Sequence, residues 1–435
     1  MSIKKGSIER VISSGLCTGC GTCVGVCPRD AVNMIVDERK GIYIPEIEDT
    51  KCDHCGICFA SCPGYDVPFK KLDLEIFGNE AHGALLGNFL DCYAGYACDF
   101  DIRYNATSGG LITSLLIFWL KEGIIDGALV TKMDGLDNLR PQAFIARTER
   151  EIISAMGSKY CPVPVNTVLK EVIKHKGRYA VVGLPCHIAG IRKAEKLNKA
   201  LQESIIVHLG LVCNHTPTFV ATKYLLGKFR INETRVESLQ YRGRGWPGGM
   251  LACYDGGQEK FINHLDPYYW GFVFNKFFWP QRCFVCNEKI NRFSDIVFMD
   301  AWLPEFVKKG TGYSMIIVRS LVGLDLMSKA REAGEIEISA IPCEDIVTSQ
   351  GLDAVSRRAA ARKRVFQVLQ KPVPEYGVCD SVTYSVWDLI IALWDYCAIS
   401  LGSWSKSFVT LYTNLYKIAG RVKQNLSRSK GLAKL

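Results

Sequence analysis

Cys17-x2-Cys20-x2-Cys23-x3-Cys27-Pro28 decides how the N-terminal region folds, and Cys52-x2-Cys55-x2-Cys58-x3-Cys62-Pro63 repeats it. Three thiolates at this spacing wrap one iron–sulfur cubane, and the fourth is carried away to ligate the neighbouring cluster. The spacing therefore predicts two [4Fe–4S] clusters. One is held by Cys17, Cys20, Cys23 and Cys62, the other by Cys52, Cys55, Cys58 and Cys27. Gly19, Gly21 and Gly56 let the loop backbone approach the sulfides. Zinc is the competing reading, because it also uses CxxC pairs. Two four-cysteine runs, each ending in Cys-Pro, favour iron–sulfur. Adjacent clusters carry electrons one at a time, so the segment reads as a conduit and not as a catalyst.

The rest of the chain supports metal ligation. It has 435 residues and nineteen cysteines, too long for a small disulfide scaffold. Residues 1–10 carry charge but no apolar stretch of a signal peptide, so a reducing, cytoplasmic setting is expected. Of the formal charge of +9, seven Lys or Arg fall between Ser403 and Leu435 with no acid, leaving +2 for the remainder. That distribution excludes a general nucleic-acid footprint.

Four textures divide the chain. Residues 1–68 read as an α+β, ferredoxin-like domain with two clusters. Residues 69–90 read as a connector. Residues 91–375 read as a larger α/β domain, and residues 376–435 as an amphipathic, basic helical tail. In the α/β part, Asp126 to Val130, Tyr179 to Gly183, Ile205 to Val212, Ile296 to Met299 and Met315 to Val318 are short Val/Ile/Leu-rich runs, as buried strands are. Leu111 to Lys121 is a helix stopped by Gly123, and Thr148 with Glu151 forms a capping box. Strands alternating with helices predict a mixed or mostly parallel sheet covered on its faces.

A second cysteine set lies inside that domain. Cys186 and Cys213 directly follow predicted strands, and Cys283-x2-Cys286 precedes another. Cofactors gather at the carboxyl ends of strands in open α/β sheets. A third [4Fe–4S] cluster on Cys186, Cys213, Cys283 and Cys286 is the expectation; buried structural thiols are the alternative. Cys92, Cys98, Cys161, Cys253, Cys343, Cys379 and Cys397 show no ligand pattern and read as core thiols.

Several segments suit an organic cofactor. Thr107-Ser108-Gly109-Gly110 opens the helix from Leu111, where free amides favour a phosphate; simple capping is the plainer reading. Gly243-Arg-Gly245-Trp-Pro-Gly248 formally matches GxGxxG. It leads into a hairpin (Met250 to Tyr254, then Lys260 to Ile262), so it is no dinucleotide fingerprint. Arg242, Arg244 and Trp246 in that turn could still face a flat anion. Gly157-Ser158-Lys159-Tyr160 follows a helix end, and Asp300-Ala-Trp302 could place a carboxylate at the sheet edge.

In this order the motifs resemble the beta subunits of hydrogenases and dehydrogenases that use coenzyme F420. They run from the double cluster through Ser108-Gly-Gly110, Gly157-Ser-Lys-Tyr160, Gly183-Leu-Pro-Cys186, Gly210-Leu-Val-Cys213 and Tyr241-Arg-Gly-Arg-Gly-Trp-Pro-Gly248. Arg282-Cys-x2-Cys286 and Asp300-Ala-Trp302 complete them. The resemblance covers roughly residues 15–320. It implies a non-covalent FAD and a [4Fe–4S] cluster in the core. It also implies Ser108, Gly109 and Gly110 as flavin neighbours, with Ser158, Lys159, Arg242, Gly245 and Trp246 near the flavin or its substrate. The implied activity is hydride exchange between coenzyme F420 and FAD, with single electrons passing through the clusters to a ferredoxin or a partner subunit. Relatives also include ferredoxin-dependent reductases of other organic substrates, and a non-catalytic electron-relay subunit is a third possibility.

The tail bears on partners. Tyr384 to Leu401 is apolar but holds Asp388 and Asp395, each costing about 2.5–3.5 kcal/mol near a bilayer centre, so a spanning helix is not expected. Phe408, Leu411, Leu415, Ile418 and Val422 recur at helical spacing beside Lys417 and Arg421. That pattern suits a membrane surface or an acidic partner, or a helix packed on its own domain with a solvated basic end.

Overall fold

A computed structural model describes residues 7–81, 83, 85–133, 139–269, 276–377 and 382–402. Cys379 and the stretch 403–435, including its apolar stripe, lie outside the described residues.

The N-terminal domain is built on a hairpin, β1 (Val32–Asp37) paired antiparallel with β2 (Ile42–Ile47). Each cysteine run supplies one short helical turn, Thr22–Gly25 and Ile57–Ala60. Gly21 and Gly56 begin these turns at φ +82° and +77°, a left-handed backbone that other residues resist. This is why both runs carry glycine directly after the second cysteine.

The large domain holds β3 (Asp91–Ala97), β4 (Gly127–Met133), β5 (Pro141–Ala146), β6 (Tyr179–Gly183), β7 (Ile205–Leu211), β11 (Ile296–Asp300), β12 (Ser314–Val318) and β13 (Ile336–Ala340) in one eight-stranded sheet. Its order is β13-β3-β12-β11-β7-β6-β4-β5. The strands β4, β6, β7 and β11 are mutually parallel, and β3 shares their direction across the antiparallel β12. The sheet is therefore mixed. β8 (Val236–Gly243), β9 (Gly249–Tyr254) and β10 (Gln258–Asn263) form a separate antiparallel sheet, the hairpin expected after Gly248.

Period-two alternation sorts the side chains. Ile296, Phe298, Ile316 and Val318 join one core with α2 (Leu111–Lys121), which follows α1 (Phe69–Phe77) in the chain. Val297, Met299, Met315 and Ile317 point to the opposite face. Further along, α3 (Glu149–Ser154) carries the expected Thr148/Glu151 capping box. On the face away from α2, α4 (Pro185–Glu195) buries Ile188, Ala189 and Ile191 with Phe69 and Leu72 of α1. Full burial of an Ile, Leu or Phe side chain such as these contributes roughly 1.5–3 kcal/mol. Residues 69–90 thus begin with a packed helix. Beyond them lie α5 (Leu321–Glu332), α6 (Leu352–Val368) and α7 (Val386–Gly402). No helix of the described residues is long and apolar enough to cross a membrane.

The topology aims the chemistry at one edge. Gly183, Leu211, Asp300 and Ala97 end parallel strands on the same side, and the register places Asp300 opposite Ser314 and Ser314 opposite Gly95.

Candidate electron-transfer site

The N-terminal cysteines separate into two groups by proximity. Burial pushes the Cys17 thiol up to about 12, with Cys62 and then Cys20 adding to the rise. Burial and Cys20 push Cys62 up to about 11. Burial raises Cys58 to about 11, with Cys55, Cys27 and Cys52 as its charged neighbours. So Cys62 sits with the first run and Cys27 with the second, the exchange that the spacing predicts. Backbone N–H groups of Gly19, Ala31 and Gly64 donate to the sulfurs of Cys17, Cys27 and Cys62, each at 3.4 Å. Such bonds stabilise thiolate in preference to thiol.

The second set also converges. Cys186 is the second residue of α4, directly after β6, and Cys213 follows the adjacent strand β7. The Cys213 N–H donates to the Lys289 carbonyl at 2.9 Å, and the short helix Gln281–Phe284 brings in Cys283. Cys186, Cys213, Cys283 and Cys286 line one cavity together with Cys17, His187, Arg282, Lys289 and Tyr376. Burial, then Cys20, Cys213, Cys283 and Cys286, push Cys186 far up. Burial and Cys283 push Cys213 up to about 12. At Cys286 burial is outweighed by the Lys289 and Arg282 cations, and the thiol is lowered. Crowded buried thiols that raise one another are relieved when a cationic centre binds their thiolates. The four cysteines thus share one cavity, and a cubane would take one thiolate on each of its four irons.

The three groups form a row. Cys58 raises Cys23, joining the second run to the first. Cys20 raises Cys186, joining the first run to the core. Cys55 is exposed, Cys20, Cys23 and Cys62 are buried, and the four core cysteines are half-buried around their cavity. The row is fixed by groups that no sequence motif announced. The Asn166 N–H donates to the Cys20 carbonyl at 2.9 Å. Its side-chain amide donates to Thr22 Oγ1 at 2.8 Å and to the His187 carbonyl at 2.9 Å. Lys193 Nζ donates to the Cys62 carbonyl at 2.8 Å, and Arg282 Nε to the Gly64 carbonyl at 2.8 Å.

The segments expected near a flavin also meet at the carboxyl edge. Ser108 Oγ donates to the Tyr313 carbonyl at 2.8 Å, and the Gly109 N–H donates to Ser314 Oγ at 3.0 Å. A Cβ on Gly109 would lie 2.6 Å from the Gly95 carbonyl, so sheet packing already demands glycine there. Gly110, at φ +79°, starts α2 without a side-chain cap. The Ser158 N–H donates to Thr107 Oγ1 at 2.7 Å. Lys159 curls back, its Nζ donating to the carbonyls of Met156 and Gly157 after α3, and burial lowers it to about 7. Arg242 Nη1 donates to Asp300 Oδ2 at 2.7 Å, and Trp246 Nε1 donates to Asp300 Oδ1 at 2.8 Å. Gly245, at φ +81°, packs on Tyr104, and Trp246 lies against Trp302 with ring centroids 5.1 Å apart. Asp300 is therefore the hub of this edge. The polar groups of Arg242, Trp246, Lys159 and Ser108 have protein partners, while the α2 start offers backbone amides of the kind that accept phosphate.

Residues 92–170 match the family model for the N-terminal part of the coenzyme F420 hydrogenase/dehydrogenase beta subunit, and residues 176–344 match its C-terminal part. Residues 16–65 match a 4Fe-4S dicluster domain. The chain belongs to the coenzyme F420 hydrogenase/dehydrogenase beta-subunit family. This is a family of oxidoreductases. The beta-subunit-family chain is 26% identical to the coenzyme F420-dependent sulfite reductase of Methanocaldococcus jannaschii, over 73% of this chain and 46% of that protein. It therefore spans under half of that relative's length. It is 25% identical to the coenzyme F420 hydrogenase subunit beta of Methanothermobacter thermautotrophicus, over 64% of this chain and 93% of that one. In fold it is similar to a chain of the F420-reducing [NiFe] hydrogenase complex of Methanosarcina barkeri. The TM-score is 0.53 at 20% identity, covering 67% of this chain and 97% of that one. In this beta-subunit-family chain the N-terminal family model begins at the first strand of the large sheet and the C-terminal one takes in all four core cysteines.

Proposed function

We propose that this chain is an iron–sulfur flavoprotein oxidoreductase. It exchanges hydride between coenzyme F420 and FAD and passes single electrons through three [4Fe–4S] clusters to a ferredoxin or a partner subunit. The observation that carries this reading is the row itself: Cys17 of the first run lines the same cavity as Cys186, Cys213, Cys283 and Cys286. Bound FAD supplies the junction between two-electron and one-electron chemistry.

The chain's own contribution is spacing, burial and charge. Asn166, Lys193 and Arg282 lock the N-terminal domain against the core cysteines. Arg282 and Lys289 set positive charge beside Cys286, favouring thiolate. Burial of Cys20, Cys23 and Cys62 shields the first-run group, while exposed Cys55 brings the outermost group to a partner's reach. Asp300 fixes Arg242 and Trp246 at the carboxyl edge, beside the proposed flavin neighbours Ser108, Gly109, Gly110, Ser158, Lys159 and Gly245.

The test is anaerobic reconstitution, with iron and flavin quantified and reduced coenzyme F420 titrated in. The reading expects about twelve irons per chain for three cubanes, one FAD and prompt bleaching. Bleaching by reduced ferredoxin alone would replace it with a ferredoxin-fed reductase of another substrate. Full iron loading without flavin would leave an electron-relay subunit.

A further inference from the structure

Two cysteines outside the three sets meet. Cys92 is the second residue of β3, and Cys343 opens the helix Cys343–Gln350. They stand 251 positions apart in the chain, yet their sulfurs are in direct contact at 2.6 Å. The backbone brings them together. β13 pairs Ala340 with Tyr93, and the Ile341 N–H donates to the Cys92 carbonyl at 3.0 Å. Pro342 then ends the strand and starts the helix, which carries Cys343 back over β3. Met315, Ile317, Ile346 and Val347 pack around the pair. Two sulfurs in an apolar wall are too few for structural zinc or a cubane, which take four ligands. Thiols already in contact on paired backbone need little movement to be joined.

The two sulfurs differ in access. Cys92 is buried and Cys343 is half-buried, so a small molecule reaches Cys343 first. The pair also sits behind the carboxyl edge. At the far end of its helix, Ser349 Oγ accepts from the Trp302 N–H at 3.0 Å, and Gln350 Nε2 donates to the Asp300 carbonyl at 2.8 Å. The helix that Cys343 opens is therefore the one that braces the Asp300 hub.

We propose that Cys92 and Cys343 are an oxidisable dithiol, closed to a disulfide by a low-molecular-weight disulfide, and that closure pins the helix Cys343–Gln350 against β3. The Cys343 thiolate attacks the small disulfide and breaks its S–S bond. One small thiol leaves with the proton that Cys343 gave up, and a mixed disulfide forms at Cys343. Cys92 then attacks the Cys343 sulfur, and the second small thiol leaves with the Cys92 proton. The dithiol loses two electrons, and the small disulfide gains them as two thiols. All strands of the large sheet after β3 lie between the two cysteines, and a crosslink over so long a loop restricts the unfolded chain strongly. This does not rest on the proposed redox activity, because neither sulfur belongs to the three cluster sets.

The experiment treats the full-length, anaerobically reconstituted protein with oxidised glutathione, blocks remaining thiols and maps the digest by mass spectrometry without reduction. A peptide pair joined through Cys92 and Cys343 is expected, and dithiothreitol should separate it. Iron content should hold, the unfolding temperature should rise by roughly 5 °C or more, and hydrogen exchange at the Trp302 amide should slow. Cys92→Ser should stop at the glutathione adduct on Cys343. Cys343→Ser should form neither adduct nor crosslink and show no rise in unfolding temperature. A wild type that forms no Cys92–Cys343 crosslink overturns the proposal, whether it stays reduced, keeps glutathione on Cys343 or joins either cysteine to another. A crosslink that leaves exchange at Trp302 unchanged overturns the bracing of the Asp300 hub.

Discussion

Asn166 and Thr22 meet across the boundary between the N-terminal domain and the large domain, amide to hydroxyl at 2.8 Å, and both side chains are fully buried. The same amide holds the carbonyl of His187, next to Cys186, and Thr22 Oγ1 lies 3.1 Å from Cys20 Sγ. One side chain thus sets the separation of two cysteine groups that belong to different domains.

Asn166→Leu should therefore cost about 1–3 kcal/mol, the price of leaving Thr22 and the His187 carbonyl unpaired. It should slow electron passage between the first-run group and the core while leaving iron content near the wild-type value. Stopped-flow reduction, followed at two wavelengths, measures this. A variant that equilibrates its clusters at the wild-type rate would show the contact to be structural only.

Cys213→Ser should remove the core group alone. Iron should fall by about four atoms per chain, and the paramagnetic signal of the coupled N-terminal pair should survive. Unchanged iron would mean that Cys186, Cys213, Cys283 and Cys286 are packed thiols.

Asp300 compensates a buried guanidinium. Asp300→Asn leaves Arg242 without its carboxylate and is expected to destabilise the fold by about 3–5 kcal/mol. The double change Arg242→Met/Asp300→Asn should cost less than Asp300→Asn alone. A chemical denaturation series on all three variants decides, and additive losses would rule out the pairing.

His208 predicts a pH dependence. It is buried between Asp295 on Nδ1 at 3.0 Å and Glu195 on Nε2 at 2.7 Å, with Arg192 bridging both acids at 3.3 Å. Burial and Arg192 push His208 down, but the two carboxylates outweigh them and raise it. Burial pushes Glu195 and Asp295 up, but Arg192 and His208 outweigh it and hold both below their ordinary range. The histidine contribution is thus complete below its ordinary value near 6.5 and is lost as pH rises through its folded value. The acid contribution is complete above the ordinary carboxylate range and is lost as pH falls through the folded values. The unfolding temperature should peak in mildly acidic solution and decline on the alkaline side. In His208→Gln that alkaline decline should flatten, and a parallel decline in both proteins would remove His208 as its cause.

Much of this was legible from residues alone, and for identifiable reasons. Tyr179–Gly183 and Leu111–Lys121 form at the bounds the sequence suggests, because a buried parallel strand and an apolar helix stopped by glycine carry strong local signals. The pairing of Cys62 with the first run followed from ligand spacing. The adjacency of Cys186 and Cys213 followed from their places after strands, and the order β7-β6 makes those strands neighbours. Asn166 left no signal, since its role depends on two segments more than a hundred residues away from each other in sequence. Lys159 and Arg242 illustrate the converse. Cationic residues in glycine-rich turns invite an anionic ligand, yet here carbonyls of the chain and Asp300 occupy them. Composition cannot distinguish a cation that waits for a ligand from one that is already engaged.

The interface between the domains also rules out one style of operation. A Cβ on Gly25 would sit 2.0 Å from the Asn166 carbonyl, and one on Gly190 would sit 2.3 Å from Thr22 Oγ1. Backbones in such close register leave no clearance for a swinging arm that loads at one station and discharges at another. The N-terminal domain is a fixed terminal, soldered to the board. On the proposed function, a redox partner comes to the side where Cys55 is exposed, and the N-terminal domain does not move out to meet it.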